Sequence, residues 1–268
     1  MQNPAIIQNK SINSPEYIEA DCKKYREEYV LHLADTTLIL AQRNAEWCGH
    51  GPILEQDIAL TNISLDLLGQ ARNFYQYAAL LRGDEVTEDT LAYLRTEREF
   101  KNLLLVEQPN GDWGQTILRQ FLFSAYQHPL YTQLQKSGDE QIAAIAEKSL
   151  KEVTYHLKWS SEWVIRLGDG TEESNTRMKH AMENLWMYTG ELFIPAYYEV
   201  SSVLGFDMTM LKDAWYDKVN EIFKEADLAV PQNMYMQSGG KEGIHTEQLG
   251  YILVELQYLQ RAYPGAQW

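Results

Sequence analysis

Nearly every apolar pattern in this chain repeats at the helical period of about 3.6 residues, and none alternates convincingly as a strand. One of these segments, from Trp113 to Gly138, contains no Asp or Glu at all. The first property restricts the chain to an all-α fold. The second limits what that fold can do, because a helix without carboxylates contributes no hard oxygen ligand to its interior.

Punctuation residues divide the 268 residues into helices. Ser14-Pro15-Glu16 is a helix start, since Pro suits the first helical position and Ser caps free amides. The first helix runs to about Trp47 and stops at Gly49-His50-Gly51-Pro52. A second spans about Ile53 to Leu81. Its stretch from Ile58 to Ala71 has Asp66 as its one charge, which predicts burial on most sides. A third element covers roughly Thr87 to Val106 and breaks at the turn tetrad Gln108-Pro109-Asn110-Gly111. The carboxylate-free helix follows to Gln135, with a kink expected at Pro129. Ser137-Gly138-Asp139-Glu140 has capping-box spacing and opens a helix to about Leu167. Three more are expected: about Thr171 to Val203 with a kink at Pro195, Asp207 to Leu228, and Ile244 to Ala262. The longest loop is Val230 to Gly243. The expected organisation is an N-terminal extension over residues 1–24, partly ordered, and a single domain over 25–268.

The best match to this pattern is a ferritin-like helical bundle with additional C-terminal helices. Bundles of this type hold two metal ions with one carboxylate from each of two helices and a Glu-x-x-His from each of the other two. Of six histidines, only His245 has an acid three residues earlier, Glu242, and that pair straddles Gly243 at a loop edge. Glu152 has Tyr155 where a histidine would stand and His156 one place too late. With the first turn centred near residues 50–51, Asp35 is expected level with Asp66, and Glu46 with Glu55. Around the second turn near Gly138, Glu152 faces Ser124, flanked by Gln120 and His128. No metal, cofactor or catalytic residue is therefore assigned. Asp35, Asp66, Glu152, Tyr155 and His156 are the residues that could remain from a degenerate site.

Other residues have plainer roles. Cys48 and His50 could pair as a nucleophile and base, but a small buried thiol beside a turn histidine is the simpler reading. Two cysteines, Cys22 and Cys48, make no disulfide framework. His156 between Tyr155 and Trp159 is expected to be a hydrogen-bonded core or interface histidine. The tetrad at 108–111 lacks the glycine spacing and lysine of a phosphate loop. Seven Trp and 17 Tyr suit a partner surface as well as a core. The formal charge of -15 argues against nucleic acid and anionic membranes as partners. No segment is long and apolar enough to span a bilayer, and the cytoplasm is the expected location.

Five runs are distinctive: Ala41 to His50, Asp66 to Asn73, Asn102 to Gly111, Gly239 to Glu247, and Pro264 to Trp268. Together they resemble the C-subunit family of bacterial phenylacetyl-CoA (ring 1,2-) epoxidases, from about Tyr29 onward. The resemblance implies a ferritin-like fold and a structural, non-catalytic role in aerobic phenylacetate breakdown. It implies docking on a catalytic A subunit and association with other subunits of the complex. The di-iron centre would reside in that A subunit, fed with electrons from NADPH through a flavin and iron-sulfur reductase. The competing class is an autonomous metal-dependent oxidase with ligands drawn from Asp35, Asp66, Glu152 and His156. A thiol hydrolase using Cys48 is a third.

Overall fold

A computed structural model describes residues 15–83, 85–199, 206, 208–232 and 234–266. Four long helices form the bundle: α1 (Pro15–Ala45), α2 (Leu54–Arg82), α5 (Trp113–Leu134) and α6 (Glu140–Gly168). Helix α1 crosses residue 25 without a break, and the part of the expected extension before residue 15 lies outside the described residues. Asp112 caps α5 by accepting from the Gln115 amide, and Asp139 caps α6 by accepting from Gln141 and Ile142. Helix α5 continues through Pro129, and most of its residues are buried.

Helices α1 and α2 pack together, α5 packs on α6, and α2 meets α6. Trp113 contacts Trp159 and Trp163, so the second hairpin mirrors near Gly138 as its turn predicts. Gln70 meets Gln127, and Phe74 meets Tyr131, at a nearly constant offset, which makes α2 and α5 parallel. Parallel neighbours require a long crossover. Residues 83–112 supply it.

The third element, expected over roughly 87–106, consists of three short pieces: α3 (Glu88–Tyr93), a 3-10 turn (Glu97–Glu99) and α4 (Leu104–Glu107). Helix continuity is lost because other elements satisfy the backbone. The amide of Lys101 donates to Asp35, that of Leu103 to Thr36 Oγ1, and that of Leu104 to Glu191. Phe100 is meanwhile driven fully into the core. Buried amides need partners, and here side chains provide them.

One helix expectation fails. Helix α7 (Glu172–Leu185) ends well before residue 203 and passes into two 3-10 turns, Trp186–Tyr188 and Gly190–Phe193. At Gly190 a β-carbon would lie 2.9 Å from Met236, so the loop after the bundle passes too close for a side chain there. Residues 200–205 and 207 lie outside the described residues. Helices α8 (Thr209–Glu225) and α9 (Glu247–Ala262) are the remaining α-helices among the described residues. Helix α8 packs on α5 and α6, with Trp215 Nε1 donating to the Leu122 carbonyl. Helix α9 packs on α3, α4 and α1.

Candidate functional site

The bundle axis is polar but almost uncharged. Gln70 of α2 donates to Glu152 of α6 at 2.9 Å and accepts from Gln127 of α5 at 3.0 Å. Gln127 also reaches the Tyr131 hydroxyl at 3.0 Å. Further along the axis, Asn44 of α1 donates to Gln120 at 2.7 Å, and Gln120 donates to Ser124 at 2.9 Å. Burial keeps the Tyr131 phenol protonated far above its ordinary range, with Glu152 adding to the effect. A di-metal centre needs several carboxylates and two imidazoles. Here amides, a phenol, a hydroxyl and one carboxylate form two hydrogen-bonded sets, Glu152–Gln70–Gln127–Tyr131 and Asn44–Gln120–Ser124. This donor set does not fit two iron ions.

A buried cation reinforces that conclusion. Arg119 is fully buried and donates to the Gln108 carbonyl and to Asn44 and Asn110 side-chain oxygens. Burial, with Arg43 nearby, lowers its guanidinium to about 9. Through Asn44 this positive charge adjoins Gln120, where a second cation would be repelled.

The five residues singled out in the sequence do not converge. Asp35 is fully buried, but it binds Arg95, the Tyr75 hydroxyl at 2.6 Å and the Lys101 amide at 2.8 Å. Asp66 instead meets His156 at 3.0 Å. Glu152 is held by Gln70, and Tyr155 is 47% exposed on the surface of α6. The expected pairing of Asp35 with Asp66 is wrong because α1 and α2 are staggered. Asp35 opposes Tyr75 and Glu27 opposes Arg82, so the pair mirrors near residue 55 and not 50–51. Among the described residues, no three His, Cys, Asp or Glu side chains gather where they could hold a metal. His156 is fully buried on Asp66, a hydrogen-bonded core histidine.

Three buried acids escape a reading of the sequence, Glu107, Glu199 and Glu191, the last accepting from the amides of Leu104, Gly239 and Gly240. Glu107 accepts from His245, from the Thr246 amide and hydroxyl, and from Asn102. Glu199 pairs with Lys241 at 2.8 Å, both nearly fully buried. His245 pairs with Glu107, 138 residues away, and not with Glu242; no local spacing announces that partnership. Cys48 is exposed, contrary to expectation, because the chain leaves α1 at Ala45 and turns outward through Gly49. His50 is exposed beside it.

His245 makes a pH prediction. Burial alone would lower it, but the Glu107 hydrogen bond and charge and the Phe100 carbonyl outweigh burial and raise it. A raised folded value means that its stabilisation is complete below the ordinary pH of about 6.5 and fades as pH rises through the folded value. Fully buried His32 acts oppositely: burial lowers it to about 4, so it costs stability on acidification. Denaturant midpoints of wild type and His245→Gln are expected to lie furthest apart near pH 6 and to approach each other above pH 8. A constant gap would refute the assignment.

The outer surface of α2 also departs from expectation. Leu54, Ile58, Leu65, Leu68 and Leu80 are exposed, Leu65 at 60%. The low charge of this helix therefore does not reflect burial within the chain. The Asp66–His156 contact sets Tyr155 of α6 beside this face. Exposed apolar rows of this kind mark interaction surfaces.

Comparison with known proteins agrees with this architecture. A family model described as phenylacetic acid catabolic protein matches residues 8–268, reaching back past the Tyr29 limit drawn from the sequence runs. The C subunit of 1,2-phenylacetyl-CoA epoxidase from Escherichia coli (strain K12) is 51% identical over 243 residues. That match covers 90% of this chain and 98% of the relative. No helix among the described residues is long and apolar enough to cross a membrane.

Proposed function

The chain belongs to the phenylacetic acid catabolic protein family, whose members are ferritin-like and helical, and from that membership we propose that it is an architectural, non-catalytic subunit of a phenylacetyl-CoA epoxidase. In this reading it docks on a homologous catalytic A subunit in the cytoplasm. The A subunit would carry the di-iron centre that activates oxygen for ring epoxidation. The observation that carries the proposal is the bundle axis, where Gln70, Gln127 and Tyr131 bond one another, Gln120 bonds Asn44 and Ser124, and Glu152 is the one carboxylate these groups contact.

What this chain contributes is a rigid surface. Gln70 ties α2 to α5 and α6, and Asn44 ties α1 to α5, since an amide that loses its partner there is left buried and unpaired. Helix α2 then presents Ile58, Leu65 and Leu68 outward on a stiff frame. Permanent complexes bury larger and more apolar areas than transient ones, and this face suits such an interface. Its position beside Tyr155 adds an amphipathic ring of the kind that dominates interface energetics.

Co-expression with a catalytic A subunit tests the reading. The wild-type chain is expected to co-elute with it in size-exclusion chromatography and to hold no stoichiometric iron when purified alone. Burying one leucine or isoleucine is worth about 1.5–3 kcal/mol. Ile58→Glu and Leu65→Glu together are expected to weaken the complex more than about a hundredfold while leaving the circular dichroism spectrum unchanged. Separate elution of the wild-type proteins at micromolar concentration would sink the docking claim. A near-stoichiometric metal lost on Glu152→Ala would sink the non-catalytic one.

A further inference from the structure

Helix α9 carries a second uncovered face. Its inner side, Leu249, Ile252, Leu253 and Gln257, is buried, and Gln257 donates to the carbonyls of Ala92 and Arg95. The outer side presents Glu247, Tyr251, Val254, Tyr258 and Arg261. These positions alternate steps of four and three residues, the seam spacing of paired helices. Tyr251, Val254 and Tyr258 are 63%, 70% and 62% exposed. A cleft of about 640 Å³ runs beside them, between α9 and the turn at 97–99.

This stripe is complementary to itself when reversed. Glu247 and Arg261 lie equally far from Val254 on either side, and Tyr251 and Tyr258 flank it almost symmetrically. A second copy laid antiparallel across a two-fold axis at Val254 sets Glu247 against the partner's Arg261 at both ends. Between those ends each Tyr251 meets the partner's Tyr258. Self-complementarity of one patch is what an isologous dimer requires. Neither Glu247 nor Arg261 forms an ion pair among the described residues; Arg261 donates only to main-chain carbonyls of Leu94 and Arg95. Both charges are therefore available at the seam. A different acidic or basic partner would not call for opposite charges placed symmetrically about an apolar centre.

We propose that the outer face of α9 is a self-association surface through which two copies of this chain pair antiparallel about Val254. The face uses none of the α2 residues assigned to the catalytic partner, so the two surfaces can be occupied together or fail separately. Sixteen residues of helix extend about 24 Å. The contact falls near the small end of specific interfaces, about 1,200 Å², so dimerisation is expected at micromolar concentration and not below.

Sedimentation velocity of the isolated full chain tests this. The wild type is expected to shift with concentration from 31.0 kDa toward twice that mass. Glu247→Arg, and separately Arg261→Glu, place like charges at both ends and are expected to weaken the dimer at least tenfold. The double swap restores opposite charges and is expected to recover wild-type association. In a Cys48→Ser background, Val254→Cys is expected to yield an oxidised, covalently linked pair. Three results would overturn the proposal: a monomer at every concentration, a double swap no better than either single, or a Val254→Cys chain that does not cross-link. Loss of binding to the A subunit in these variants without any self-association would assign the face to that partner and overturn it as well.

Discussion

Asp35→Ala is expected to cost about 3–5 kcal/mol, the usual loss when one partner of a buried ion pair is removed. Asp35 is fully buried and Arg95 nearly so, and Asp35 accepts from Arg95, Tyr75 and the Lys101 amide together. Its removal leaves a guanidinium, a phenol and an amide to find water where little can reach. For a domain of this size each kcal/mol moves the melting temperature by about 2–4 °C, so a drop of roughly 10 °C is expected in calorimetry. Replacing both partners, with Asp35→Ala and Arg95→Met, is expected to recover much of the loss, because an apolar pair carries no stranded charge. A single variant within about 1 kcal/mol of wild type would show that Asp35 behaves as a solvated surface acid.

Glu107→Ala has an effect of similar size in another place. Four donors converge on this buried carboxylate: Asn102, His245, and the amide and hydroxyl of Thr246. Three of them belong to the start of α9, so Glu107 clasps that helix to α4. About 3–5 kcal/mol is expected to be lost, with hydrogen exchange accelerated first in α9. Glu107→Gln keeps the shape but removes the charge that raises His245. In that variant the stability difference between pH 6 and pH 8 attributed to His245 should disappear. Equal protection of α9 in wild type and Glu107→Ala would dissociate the clasp from the helix it is said to hold.

Much of the fold is legible in the sequence because the signals are local. The turn near Gly138 and the stop at Gly49 act within a few residues of the helix ends they control, although the cap of α6 is Asp139 and not the Ser137 of the expected capping box. The crossover is not legible, because its backbone partners, Asp35, Thr36 and Glu191, come from elsewhere in the chain. The apolar run of α2 misleads for a different reason. Hydrophobicity reports that a surface is to be covered and does not say by what, and Ile58 and Leu65 find no cover among the described residues. Around the axis, the shortage of carboxylates and Glu-x-x-His spacings is visible without coordinates. The amide network that occupies their place is not.

Covalent order alone determined the helical class, the segment boundaries marked by caps and glycines, and the kinds of ligand atoms available to the bundle axis. These follow from interactions within one or two turns, or from composition, and need no knowledge of distant neighbours. Tertiary structure decided that Asp35 meets Arg95 and not Asp66, that His245 meets Glu107, and that α2 and α9 keep apolar faces in solvent. Those outcomes depend on the stagger between packed helices, where a shift of one turn changes every partner.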